Sequence, residues 1–333
     1  MNKIKWGILS TAKIAETALI PGIKKSKNSI LYSVASRDIT RAKIFSKKHS
    51  IPNFYGSYEE LYNDPNVDVI YNPLPNHLHL KSSIKAAKNK KHILIEKPIT
   101  LKANEVDQLS IISKKNHTII TEAFMVRHHP QWQWIKKNID NGFVGKIHSI
   151  SSVFSYNNKD PKNIRNIKKY GGGALYDIGC YPIQISRFIS GKEPKKVIGI
   201  ANLDKNFKTD VLTTGIMDFD SFHSTFTVST QSCLKQSVTI NGSKKTIVIE
   251  NPFNAMASKK STIIVYDGSS IYRDDNKIYK IKSSDQYENQ VTDFSNYILK
   301  KNKVKYGLSD AKKNMKVIDA FFKSIKDKKW IKI

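Results

Sequence analysis

The stretch WGILSTAKIAE, Trp6 to Glu16, decides how this 333-residue chain is read. It follows an opening apolar strand, Ile4 to Leu9, and leads into a helical pattern. A dinucleotide-binding loop occupies this place in α/β folds, and its fingerprint is G-x-G-x-x-G. The three glycine positions here read Ser10, Ala12 and Ala15. Each glycine of the fingerprint does a different job. The first makes a tight turn, the second lets the backbone approach a pyrophosphate, and the third lets helix pack closely on strand. Alanine adds one methyl, and Ser10 keeps the turn small while offering a hydroxyl. The amides and dipole of the helix N-terminus still make an anion site. The loop is therefore permissible, with Ser10, Thr11, Ala12, Lys13 and Ile14 as candidate cofactor contacts, though a plain strand–turn–helix would look the same.

Working outward, strand and helix patterns alternate through the first third. Strands are expected at Ile4–Leu9, Ile30–Ala35, Val67–Tyr71, His92–Ile95 and Thr118–Thr121. Helices are expected at Thr40–His49, Ser57–Asn63, His79–Lys88 and Ala103–Lys115. Ser57 and Glu60 stand in capping-box spacing. Such alternation predicts an α/β fold, a Rossmann doubly wound parallel sheet. After about Glu122 the rhythm changes to one helix, a series of strands from Lys146 to Tyr266, and two closing helices near Asp285–Lys300 and Ser309–Lys326. That predicts a C-terminal α+β domain on a mostly antiparallel open sheet, so residues 1–122 form the dinucleotide domain and 123–333 the second domain.

Composition narrows the function classes. Net charge is +28, which invites a nucleic-acid partner. Yet of 56 basic residues only 6 are Arg, and the lysines are spread over the whole chain. Recognition of phosphate and base edges favours Arg forks, so no nucleic-acid partner is expected. The two cysteines, Cys180 and Cys233, are far apart and suit neither a disulfide framework nor a zinc ribbon. No apolar run approaches the ~20 residues of a membrane span. A reduced, cytoplasmic setting without membrane partner is the expectation.

The second strand ends in VASRD, Val34 to Asp38. A cofactor with a free ribose 2′-hydroxyl wants an acid at the strand end, and Ser36 stands there, followed by Arg37. Arg37 suits a 2′-phosphate, and Arg41 lies one helical turn further on. NADP is the expected cofactor. Asp38 keeps NAD compatible.

Three further stretches are YNPLPNHLH (Tyr71–His79), ILIEKPIT (Ile93–Thr100) and GGGALYDIGCYPI (Gly171–Ile183). With the N-terminal loop and TEAFMVRHHPQ (Thr121–Gln131), they resemble the Gfo/Idh/MocA oxidoreductases over essentially the whole chain. The resemblance is to the branch of glucose–fructose oxidoreductase, dihydrodiol dehydrogenase and NADP-dependent xylose dehydrogenase. It implies a nicotinamide cofactor on the Rossmann domain, and a substrate lying against the sheet of the second domain. Lys97 matches the lysine of the family's E-K-P motif, on a bend that Pro98 imposes and whose peptide bond the family often holds cis. Asp177 and Tyr181 match a D-x-G-x-H motif in which tyrosine replaces histidine, as in the branch named. Four apart, they share a helix face. Pro182 disturbs that helix unless the regular turns begin near residue 181.

The reaction so implied is hydride transfer between nicotinamide and a sugar, polyol or dihydrodiol. Tyr181 acts as acid/base, and a nearby Lys97 ammonium favours tyrosinate and polarises the substrate oxygen. Asp177 orients. Pro75, Asn76, His77 and Glu96 would lie along the cofactor. Arg127 and His128 are expected to line the substrate side or the domain junction, and Arg165 reads equally as a substrate contact or a solvated loop. The three glycines Gly171–Gly173 are expected to let a sugar or nicotinamide ring approach. His77 and His79 have a spacing that metals use, but no third ligand is evident and no metal is expected. Two alternatives stay open, a dinucleotide-binding sensor without catalysis and an enzyme that recycles a permanently bound cofactor in one site. A homodimer or higher oligomer through the second sheet is expected from the resemblance.

Overall fold

A computed structural model describes residues 2–301 and 303–333. The chain divides into two compact units, Met1–His128 with Asp285–Lys312, and His129–Ser284 with Lys313–Ile333.

The first unit carries six strands: β1 (Ile4–Leu9), β2 (Ser29–Ala35), β3 (Asn53–Tyr55), β4 (Val69–Asn72), β5 (His92–Glu96) and β6 (Ile120–Ala123). All five pairings are parallel, in the order β3-β2-β1-β4-β5-β6. This is the Rossmann order, and ligands sit where it reverses, beyond the carboxyl ends of β1 and β4. The strands read as near-continuous apolar runs because helices and sheet bury them. Trp6 and Ile8 are fully buried with Leu19, Val34 and Leu94. β3 has no counterpart among the expected strands, because three residues are too few to show a period.

The helix Gln286–Leu299 belongs to this first unit, although its place in the sequence suggests the second. Its Val291 and Phe294 join the core around Trp6, whose indole donates to Ser295 Oγ at 3.2 Å. Gly22 makes the contact close: a Cβ there would lie 2.9 Å from the backbone N of Glu288. Periodicity shows that a helix has an apolar face and is silent on which sheet that face covers.

The second unit is built on nine strands: β7 (Ile147–Asn157), β8 (Lys196–Leu203), β9 (Asp210–Asp218), β10 (His223–Ser229), β11 (Gln231–Gly242), β12 (Thr246–Ile249), β13 (Ser261–Tyr266), β14 (Asn276–Ile281) and β15 (Ile331–Lys332). Their order is β14-β13-β12-β11-β7-β10-β9-β8-β15, antiparallel throughout except for the β7–β10 pair. The expected α+β half on a mostly antiparallel sheet is therefore what forms. β14 escapes a reading from sequence because its NKIYKI run is nearly all exposed, as lysine-guarded edge strands are.

Two helices share one irregularity. Ala15–Leu19 and Leu175–Gly179 are wide π turns, and each precedes a proline, Pro21 or Pro182. Proline offers no N–H to the carbonyl four residues back, and its ring crowds that carbonyl. An i to i+5 turn lets the next N–H serve it instead. The regular helix then runs Cys180–Ser190, so Tyr181 sits in its first turn, close to where the sequence places the start.

Candidate active site

In the first unit, Ser10 takes the left-handed conformation, with φ 67. The turn that usually falls to glycine is thus made by serine, at roughly 1 kcal/mol of local strain. Its N–H is tied to the Ala35 carbonyl at 2.8 Å, which fixes the loop to the end of β2. Ala15 is fully buried, so the close packing that the third glycine provides falls to a methyl-sized side chain.

Ser10, Thr11, Ser36, Arg37, Asp38, Arg41 and Tyr58 line a cavity of about 350 Å³. Asp38 caps the following helix: its Oδ1 accepts from Thr40 N at 2.8 Å and Arg41 N at 3.2 Å. Tyr58 is a wall of this cavity that the sequence does not single out. Burial pushes its phenol up, while the Arg37 and Arg41 guanidinium groups beside it pull the other way. Two cations and a phenol therefore share one wall. Lys13 points elsewhere: its ammonium lies 3.4 Å from Glu16, with the side chain 79% exposed. Glu16 also pairs with Lys48, and these ammonium groups hold its carboxyl down at about 2.

The bend at Glu96, Lys97 and Pro98 is held by its backbone. Glu96 Oε2 accepts from Lys97 N at 3.2 Å, and Glu96 Oε1 takes the Tyr71 hydroxyl at 2.5 Å. Buried Glu122 accepts from Ile99 N at 2.8 Å. The Lys97–Pro98 peptide is cis. His79, fully buried, places Nδ1 2.9 Å from the Pro98 carbonyl and Nε2 2.7 Å from that of Leu74. Burial pulls its imidazole down to about 4 in spite of those two carbonyls. The sequence offers His79 as half of a metal spacing and as the start of a helix, and its place is a tie between the loop after β4 and the bend after β5. Pro75, Asn76 and His77 are half-buried, on the short turn Asn76–Leu78 and the residue before it.

Arg127 is 2% exposed, with Nη1 2.5 Å from Asp310 Oδ2 and the guanidinium 4.4 Å over the Tyr306 ring. This pairing occupies the group that the sequence offers to a substrate. His128 likewise holds Asp293 at 2.6 Å.

In the second unit, Asp177 and Tyr181 come from the π turn and the helix that continues it. Asp177 Oδ2 accepts from the Tyr156 hydroxyl at 2.6 Å and lies 3.0 Å from Arg165 Nε. Arg165 is held above its usual range, first by Asp177, with Tyr156 and Tyr181 contributing. The guanidinium and the Tyr156 phenol therefore meet on one carboxylate oxygen of Asp177. Tyr156, at the end of β7, is missed by sequence reasoning because nothing in the sequence links it to Asp177. The Tyr181 ring packs 5.7 Å from Phe154 and 5.3 Å from Phe253.

The glycine triplet does other work than expected. A Cβ on Gly172 would meet the Arg165 carbonyl oxygen at 2.4 Å, and one on Gly173 would meet Asp210 Oδ1 at 2.0 Å. The close approach these two permit is by the protein's own loop and carboxyl.

Among the described residues no group of three or more His, Cys, Asp or Glu is placed to hold a metal, and no helix is long and apolar enough to cross a membrane.

Two family models match. One, described as an oxidoreductase family with an NAD-binding Rossmann fold, covers residues 4–124, and the other, a GFO/IDH/MocA C-terminal domain, covers residues 132–248. An uncharacterized oxidoreductase of Rhizobium meliloti is 36% identical over 331 residues, 99% of each chain. A D-xylose 1-dehydrogenase (NADP(+)) of Haloferax volcanii is 33% identical over 217 residues, 65% of this chain and 66% of its own. Among solved structures, a 3-ketoreductase from Actinomadura kijaniata in complex with NADP and TDP-benzene superposes with a TM-score of 0.91. That alignment covers 97% of this chain and 98% of the other, and its 23% identity speaks to the fold.

Proposed function

We propose, for a chain that belongs to the GFO/IDH/MocA oxidoreductase family, that it is an NADP-preferring dehydrogenase of a sugar, polyol or dihydrodiol. The observation that carries the cofactor choice is the cavity at the end of β2. It offers two guanidinium groups, and its one carboxylate, on Asp38, is engaged as a helix cap. Small polar lining with two cations fits a 2′-phosphate. Ser10, Thr11, Ala12 and Ile14 would meet the pyrophosphate through backbone and hydroxyl groups, and Glu96, Pro75, Asn76 and His77 would flank the nicotinamide ribose. When bound, NADP supplies the hydride acceptor or donor.

The chain's own residues handle the proton and the orientation. In the oxidative direction the substrate hydroxyl would lose its proton to Tyr181. In the reductive direction Tyr181 returns that proton. Lys97 donates a hydrogen bond to the substrate oxygen and stabilises its developing charge. Asp177, held by Tyr156 and Arg165, orients the substrate.

The test is a panel of aldoses, inositols and dihydrodiols with NADP and with NAD, read at the nicotinamide absorbance band. An absorbance scan of the purified protein beforehand reports whether cofactor stays bound. Charge-assisted hydrogen bonds contribute about 1.5–3 kcal/mol, so Arg37→Ala is expected to weaken NADPH binding by roughly 10- to 100-fold. NADH affinity should barely move. Equal losses for both cofactors would remove Arg37 from the 2′-phosphate site.

The oligomer proposed is a dimer through the open face of the second sheet. One cross-strand row there is Thr239, Ser151, Thr225, Ile216 and Ile198, and the next is Ser237, Val153, Thr227, Thr214 and Ile200. None of these ten positions is charged, in a chain that is 25% charged. Ile200 stands 72% exposed. Two copies each at +28 repel unless they meet over a face without lysines. Sedimentation at micromolar concentration should give a dimer, and Thr225→Lys with Ile216→Lys a monomer. A monomeric wild type would rule this face out.

A further inference from the structure

One buried carboxyl takes no part in the chemistry above. Asp210 opens β9 and is 5% exposed. Its Oδ2 accepts from the backbone N–H of Leu175 and from Thr213 Oγ1, each at 2.7 Å. Leu175 begins the turn that carries Asp177 and runs on into the helix of Tyr181. The other oxygen, Oδ1, rests against Gly173, at the spot where a side chain would collide. Gly173 has φ 119, which glycine alone adopts without strain. Its N–H goes to the Arg165 carbonyl at 2.9 Å, and its carbonyl receives the N–H of Asp177 at 3.0 Å.

These contacts run unbroken from Asp210 to Asp177. The carboxyl fixes Leu175 N–H and the height of Gly173, Gly173 fixes Asp177 N–H, and the helix that follows places Tyr181. We infer that Asp210 is a positioning residue, the seat of the glycine turn that aims Asp177 and Tyr181. The inference rests on the reading that those two residues act on the substrate.

A space-filling role explains this group poorly. A buried carboxylate without a cation is costly. Of the charged groups on the neighbouring elements, Asp177 on the π turn and Arg165 in the loop pair with each other, and Lys196 on β8 lies 3.4 Å from Asp218 at the far end of β9. β10 brings only hydroxyl and apolar side chains apart from His223 at its start, which lies near Asp218. Burial accordingly pushes the Asp210 carboxyl up to about 6, against the pull of Thr213 and Leu175 N–H. The folded value lies above the ordinary 3.8, so the folded state holds the proton more tightly. Stability from this group is full below that ordinary value and is lost as pH rises through the folded one.

The test compares Asp210→Asn with Asp210→Ala in the full chain. Asparagine keeps an acceptor for Leu175 and Thr213 but cannot ionise. Amide exchange over residues 173–177 should quicken about tenfold or more in D210A and stay within about threefold of wild type in D210N. Unchanged exchange in D210A would overturn the assignment. Melting curves between about pH 3.5 and 7.5 should diverge, with D210N gaining on wild type as pH rises from about 4 to 6 and keeping that lead above it. Curves that stay parallel would overturn it as well, and this arm decides alone should D210A not fold. In turnover on the substrate panel, D210A should lower kcat while KM for NADP holds, and D210N should recover most of it. Absence of turnover on every substrate, wild type included, would sink the dehydrogenase reading and leave the exchange and melting results to judge Asp210.

Discussion

Tyr181→Phe is expected to lower turnover by about 10²- to 10⁴-fold, the usual worth of a positioned acid/base. Cofactor affinity should not change, since Tyr181 lies in the second unit and the cavity lined by Arg37 and Arg41 is wholly in the first. The substitution is a clean one. Tyr181 is 6% exposed and its ring packs against both Phe154 and Phe253, contacts that phenylalanine keeps. What leaves is one oxygen. An unperturbed phenol titrates near 10, too high for an efficient base at neutral pH. A cation nearby favours the phenolate. The family resemblance gives that service to Lys97. Turnover in the oxidative direction should therefore rise with pH in the wild type and lose that rise in Tyr181→Phe. Turnover within a few-fold of normal would take Tyr181 out of the mechanism.

Whether a feature is legible in the sequence depends on whether it is periodic, local or neither. The parallel sheet is legible because buried strands and amphipathic helices alternate with clear periods. The strand–turn–helix of the candidate cofactor loop is legible from position and residue size, even without glycines. Its backbone is not, because nothing in a serine announces φ 67. Arg37 stands out because arginine is scarce here, but Tyr58 does not, being one of 15 tyrosines. Ties across the chain escape entirely. Tyr156 meets Asp177 from 21 residues away, Arg127 meets Asp310 from 183, and the helix Gln286–Leu299 returns to the first unit's core. The glycine triplet shows the limit well. Its sequence proclaims close approach, and only coordinates reveal that the approaching groups are Arg165 and Asp210.

Lys97→Ala should cost about 10²- to 10³-fold in turnover, as removal of a donor aimed at developing charge does. The loss should fall on every substrate, because the donor serves the reacting oxygen and not a specificity pocket. The fold should survive, since the bend is tied through its backbone. Glu96 holds the Lys97 amide, His79 meets the Pro98 carbonyl, and Glu122 takes the Ile99 amide. Lys97→Arg should recover little, because a planar fork on a longer arm does not reproduce a compact ammonium. The sharper measurement is the double variant with Tyr181→Phe. Groups that act as a unit are grossly non-additive, so the pair should lose far less than the product of the single losses. Two independent sites would multiply. Multiplication would mean that the ammonium and the phenol do not share a transition state, and the proposed reaction would fail even if each residue mattered alone.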